Sequence, residues 1–110
     1  MNLLFICTAN KLRSATAEAV FSAYDGIDAM GAGTDIDAPT TVDSELIEWA
    51  DEIFVMEPSH KKRITRQFNH VLKDKRLIVL GIPDDYDYMD ERLVELLKTR
   101  IGKLLGREFE

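Results

Sequence analysis

The chain is poor in residues that cross-link or coordinate: its 110 residues include one cysteine, two histidines, one tryptophan and three prolines. The lone cysteine, Cys7, excludes an intramolecular disulfide and any multi-cysteine zinc site, and it suits a reducing compartment, so the expected location is cytoplasmic. His60 falls in the first turn of a helical pattern and His70 in a polar stretch; metal ligation is not expected of them, and both are expected at the surface. Positive charge is also short, with 14 basic against 20 acidic residues and a net charge of −6, which argues against a general nucleic-acid binder. The basic cluster Lys61, Lys62, Arg63 and Arg66 has helical spacing and reads as a solvated face. No apolar run approaches the ~20 residues that a membrane span requires. Met1 to Ile6 lacks a charged leading segment and is far shorter than a secretory hydrophobic core, so Cys7 is not expected to be lipidated. Without repeats, low-complexity tracts or a Gly/Ser linker, residues 1–110 read as one domain whose 45% hydrophobic content supports a real core.

Short apolar runs alternate with amphipathic patterns. Leu3 to Cys7 reads as a strand, and Ser14 to Tyr24 as a helix with Ala17, Val20, Phe21 and Tyr24 on one face. Ile27 to Ala32 is a weaker strand, broken by Gly31 and Gly33, and the Asp35 to Thr41 segment with Pro39 reads as loop. Val42 to Ala50 reads as a short helix with Leu46, Ile47 and Ala50 inward, and Ile53 to Met56 as a buried strand ended by Pro58. Ser59 is the expected cap of a helix reaching Phe68, Arg76 to Leu80 a fourth strand, and Asp90 the cap of a last helix carrying Leu93, Val94, Leu96, Leu97, Ile101, Leu104 and Leu105. Trp49 is expected in the core. This order predicts an α/β fold: a small doubly wound four-stranded parallel sheet with helices on both faces. Ligands of such sheets bind beyond the carboxyl ends of the strands, and Cys7 ends the first strand.

Cys7 and Arg13 enclose five residues, Thr8, Ala9, Asn10, Lys11 and Leu12, in a strand-to-helix turn. The N–H groups of such a loop and of the next helix form an anion cradle, and the planar fork of an arginine binds two phosphate oxygens. The positive field that holds a phosphate also favours a thiolate, making a cysteine at the base of the cradle a usable nucleophile. Asn10 tolerates left-handed backbone, and Ser14 can cap the helix or hydrogen-bond the thiolate. Lys11 adds positive charge at the mouth of an acidic protein or is simply solvated. At the same sheet edge the fourth strand leads into Gly81-Ile82-Pro83-Asp84-Asp85-Tyr86-Asp87-Tyr88, where Asp84 or Asp85 can protonate a leaving group and then serve as base for an attacking water. Asp87 and Asp90 read as caps. Tyr86 and Tyr88 read as packing and substrate-stacking rings. The loop lacks the glycine and ligand spacing of a calcium site.

These residues resemble the low-molecular-weight protein tyrosine phosphatases, in their short bacterial form, over most of the chain. Cys7, Asn10, Arg13 and Ser14 fill the family's cysteine-loop signature, Ala32-Gly33-Thr34 is similar to its segment after the second strand, and Asp51 to Met56 to its third strand. Its Asp-Pro-Tyr loop maps onto Asp84-Asp85-Tyr86, with Asp84 as acid and Tyr86 as a wall of the substrate slot. The resemblance implies a phosphotyrosine phosphatase I-like fold and metal- and cofactor-free hydrolysis of phosphotyrosine, or another aryl phosphate monoester, through phosphocysteine. Cys7, Arg13 and Asp84 would be catalytic, with Thr8, Ala9, Asn10, Lys11, Leu12, Ser14, Asp85 and Tyr86 binding substrate. The expected partner is a phosphorylated protein or small aryl phosphate, not nucleic acid or membrane, and the expected state is a monomer or weak homodimer.

Several positions depart from the family pattern. Ala9 replaces a glycine, Asp85 replaces the proline after the acid while Pro83 precedes it, and Leu12 stands where many relatives carry a second, protective cysteine. The chain is also shorter than is usual, which predicts a trimmed substrate-rim loop. An arsenate reductase would need further cysteines, which are lacking. A phosphocysteine carrier or a non-catalytic phosphotyrosine-binding module would keep the cradle, with less need of the Asp loop.

Overall fold

The computed structural model describes all residues, Met1–Glu110. The elements run β1 (Asn2–Cys7), α1 (Arg13–Phe21), β2 (Asp28–Gly33), α2 (Ser44–Trp49), β3 (Glu52–Val55), α3 (Pro58–Leu72), β4 (Leu77–Val79) and α4 (Glu91–Leu105). The four strands form one parallel sheet in the order β2-β1-β3-β4. No helix is long and apolar enough to cross a membrane.

The sheet is buried on both faces, which is why its strands read as continuous apolar runs. Leu3, Phe5 and Phe54 face one side with Ala17, Val20 and Phe21 of α1 and Leu93, Leu97 and Ile101 of α4; Phe5 stacks between Phe21 and Phe54 at centroid distances of 5.4 and 5.3 Å. Leu4, Ile6, Ile53 and Val55 face the other with Ile47 of α2 and Ile64, Phe68 and Leu72 of α3. Trp49 packs partly buried against this second cluster. Lys75 closes that side: its Nζ donates to the carbonyls of Ile47 and Glu48 at 2.6 and 2.5 Å, satisfying the end of α2 with a cation.

Element boundaries differ from expectation where tertiary contacts override local signals. β2 runs through Gly31 to Gly33 because these glycines admit a neighbouring loop: a Cβ on Gly31 would lie 2.6 Å from the Ser14 carbonyl oxygen, and one on Gly33 2.5 Å from that of Thr8. α3 starts at Pro58 with Glu57, not Ser59, as N-cap, and continues past a distorted Phe68 to Leu72. α1 stops at Phe21, and the Tyr24 side chain instead packs on Phe109 of the C-terminal tail at 4.9 Å. In α4, Asp90 is the N-cap as expected, accepting from the Arg92 N–H at 2.9 Å, whereas Leu104 lies outside the buried stripe and is exposed.

Candidate active site

The Cys7–Arg13 turn leaves the carboxyl end of β1 and enters α1. The positive φ of the loop falls on Asn10, at 54°. Ala9 keeps a negative φ, so its departure from glycine imposes no left-handed strain. The loop lies across the end of β2, with the N–H groups of Thr34 and Asp35 donating to the carbonyls of Cys7 and Thr8, each at 2.9 Å. The N–H groups of Thr8, Ala9, Asn10, Lys11 and Leu12 have no acceptor within the protein. Five donors in one tight turn form an anion nest.

Cys7 Sγ lies 3.0 Å from Ser14 Oγ, whose own proton is donated to Asn10 Oδ1 at 2.5 Å. With that proton committed, the neutral thiol donates to Ser14 Oγ; once the thiol ionises, Ser14 has to turn its proton to the sulfur. Arg13 is buried, and its Nη1 donates to Glu57 Oε2 at 2.8 Å and to the Ile82 carbonyl at 2.7 Å. Both Nη1 protons are thereby used, so the remaining donors are Nε and Nη2, the edge that binds an oxyanion in bidentate fashion. Asp84 Oδ1 stands 3.7 Å from Nε. Cys7, Thr8, Ala9, Lys11, Leu12, Arg13 and Asp84 together line a cavity of about 350 Å³.

The Asp84 loop is anchored at both ends. The Ile82 N–H donates to the Met56 carbonyl at 2.9 Å while its own carbonyl receives Arg13, and the Met89 N–H donates to Thr16 Oγ1 of α1 at 2.9 Å. Asp84 is held two residues beyond an atom bonded to Arg13. Asp85 is exposed and stands outside the cavity. Tyr86 is also outside it, packing against the core cluster with the Arg92 guanidinium 5.3 Å over its ring.

No protein-family model matches the sequence, and no curated protein matches it. Solved structures do match. A low-molecular-weight protein tyrosine phosphatase from T. tengcongensis superposes with a TM-score of 0.76 at 22% identity, covering 96% of this chain and 98% of that one. The chain has the low-molecular-weight protein tyrosine phosphatase fold. A phosphatase of that name from Bacillus subtilis matches at 25% identity and TM-score 0.67, over 96% of this chain and 97% of its own. The YwlE arginine phosphatase from Geobacillus stearothermophilus matches at 21% identity and TM-score 0.71, over 96% and 92%.

Two residues of this phosphatase fold escaped the sequence reading. Glu57 is the carboxylate that pairs with Arg13. His60, expected at the surface, is buried: its Nδ1 accepts from the Glu57 N–H at 3.1 Å, and its Nε2 lies 3.0 Å from Thr8 Oγ1. Burial holds its pKa below the ordinary value of 6.5, as does Arg13, against the opposing pull of Glu57 and Asp84. Glu57 stands immediately before Pro58 at the carboxyl end of β3, beside the β1 end that carries Cys7; that adjacency was the available signal. His70 is exposed, as expected.

Proposed function

We propose that this chain is a cysteine-dependent phosphatase that hydrolyses phosphotyrosine or another aryl phosphate monoester. The observation that carries the reading is one cavity lined by a cysteine, a buried arginine with a free edge and a carboxyl group, in a loop whose five N–H groups have no acceptor within the protein. The phosphate oxygens take the N–H groups and the Nε/Nη2 edge of Arg13, which orients phosphorus toward Cys7 Sγ. The thiolate forms the S–P bond as the P–O bond to the leaving group breaks, and the protonated Asp84 carboxyl supplies the proton to the departing oxygen. Water then attacks the phosphocysteine with Asp84 as base, releasing phosphate and regenerating the thiolate. Arg13 and the loop dipoles carry the phosphate charge throughout, so each step is carried by the chain's own residues.

The test is hydrolysis of an aryl phosphate by wild type, Cys7→Ser, Arg13→Ala, Asp84→Asn and Asp85→Asn. The reading expects loss with the first two variants and a large drop with Asp84→Asn only. The likeness to an arginine phosphatase adds phosphoarginine to the substrates to assay. A wild type that binds phosphate through Arg13 and hydrolyses nothing is a binding module or a phosphate carrier instead.

A further inference from the structure

His60 is a buried imidazole to which the hydrolysis above gives no role, yet its ring joins the cysteine loop to the carboxylate that holds Arg13. Its Nδ1 accepts a backbone N–H from Glu57 and therefore bears no proton. The neutral ring then carries its proton on Nε2, which fixes the sense of the 3.0 Å contact: Nε2–H donates and Thr8 Oγ1 accepts. Thr8 Oγ1 makes no other hydrogen bond within the protein, so the hydroxyl keeps its own proton, and Thr8 lines the cavity with Cys7 and Arg13.

We propose that His60 is a positioning residue that locks the Thr8 hydroxyl as an acceptor on its protein side, so that its O–H serves as a further donor to phosphate in the cavity. The inference rests on the phosphatase reading for its rate assay and on the cradle alone for its binding assay. The same ring ties Thr8 to Glu57, and Glu57 Oε2 holds Arg13 Nη1 at 2.8 Å, so one imidazole sets both the loop hydroxyl and the backbone carrying the arginine's partner. Protonation of His60 puts a proton on Nδ1 facing the Glu57 N–H and breaks that tie. The charged groups facing the ring are Arg13 from α1, Glu57 at the start of α3 and Asp84 from the loop after β4. Arg13 and burial oppose protonation while the two carboxylates favour it, so the neutral tie gives way only at acidic pH.

The test is a double-mutant cycle on kcat/KM for an aryl phosphate, with binding of inorganic phosphate measured in parallel by NMR titration of the Thr8 amide. His60→Ala and Thr8→Val should each lower kcat/KM and phosphate affinity about tenfold, the factor that one hydrogen bond to a charged group carries. The double variant should lose about the same tenfold, because both changes act through the one Thr8 donor. His60→Gln, whose amide N–H can reach Thr8, should recover most of the loss and lack the acid-side step in kcat/KM that the wild type shows as its ring protonates. A merely structural His60 predicts multiplying losses, and that result, or an unchanged phosphate affinity in Thr8→Val, overturns the proposal. If His60→Ala fails to fold, Thr8→Val and His60→Gln still decide it. Abolition of hydrolysis by Cys7→Ser establishes the phosphatase reading regardless of His60, and a wild type without hydrolysis leaves the phosphate titration to judge the His60 contact by itself.

Discussion

Removing the Glu57 carboxylate tests how Arg13 is held. Arg13 has a 3% exposed side chain, and Glu57 is the carboxylate within hydrogen-bond distance of it, at 2.8 Å. Breaking a fully buried ion pair from one side costs about 3–5 kcal/mol because a desolvated charge is left behind. Glu57 is 39% exposed, so water screens the pair and enters when the carboxylate is removed, and the expected loss of stability for Glu57→Ala falls to about 1–3 kcal/mol. At roughly 4–8 °C per kcal/mol for a domain near this size, the melting temperature should drop by about 4–24 °C. Glu57→Gln keeps an acceptor for Nη1 and should lose less than half as much. Added inorganic phosphate, which takes the other edge of Arg13, should restore part of the deficit in Glu57→Ala. Thermal unfolding with and without phosphate reads all three. A Glu57→Ala protein that melts with the wild type, or a Glu57→Gln protein as weak as Glu57→Ala, refutes the view that this carboxylate fixes the arginine.

Other expectations follow from single contacts. Gly31→Ala drives a Cβ to 2.6 Å from the Ser14 carbonyl oxygen, so it should weaken phosphate binding as well as lower stability by about 1–3 kcal/mol; a titration matching wild type would contradict this. Leu97→Ala, fully buried on α4, should cost about 2–5 kcal/mol in urea unfolding while sparing the rate constant of the folded fraction. Asp84→Asn should lower kcat/KM, which reads the phosphorylation step, by about 10²–10⁴ for a poor leaving group and far less for an activated phenol, with Asp85→Asn within about threefold of wild type for both; equal leaving-group sensitivity in all three proteins removes Asp84 as the acid. His60 titrates lower in the folded chain than its unfolded value of 6.5, so the unfolded state binds more protons as pH falls below that value. Stability is thus fully present above it and is lost on the acid side; the wild-type melting temperature should fall more steeply from neutral to acidic pH than that of His60→Gln, and parallel slopes would refute the assignment.

Much of the fold was legible because the chain obeys local rules. Continuous apolar strands such as Leu3 to Ile6 announced a sheet covered on both faces, and the stripe from Leu93 to Ile101 announced the helix that covers one of them. Cys7, Arg13 and Asp84 were legible as a group because topology places the ends of β1 and β4 on one edge. What was not legible depends on contacts across the chain. Gly31 and Gly33 read as strand breakers, yet they keep β2 open to the cysteine loop by admitting backbone that a side chain would exclude. Glu57 and His60 sit in a polar stretch that reads as a solvated helix start; only the parallel pairing of β1 with β3 brings them against Arg13 and Thr8. Tyr86, expected as a slot wall, lies outside the cavity lining and packs against the core cluster with Arg92 over its ring, a partner set by the turn between the Asp84 loop and α4.

The most direct test of the central claim is chemical capture of the covalent intermediate. Asp84→Asn should form phosphocysteine and hydrolyse it slowly, so rapid acid quenching during turnover of an aryl phosphate, followed by peptide mass spectrometry, should find one phosphoryl group on Cys7. Absence of any adduct on Cys7, together with hydrolysis that survives in Cys7→Ser, would contradict the account.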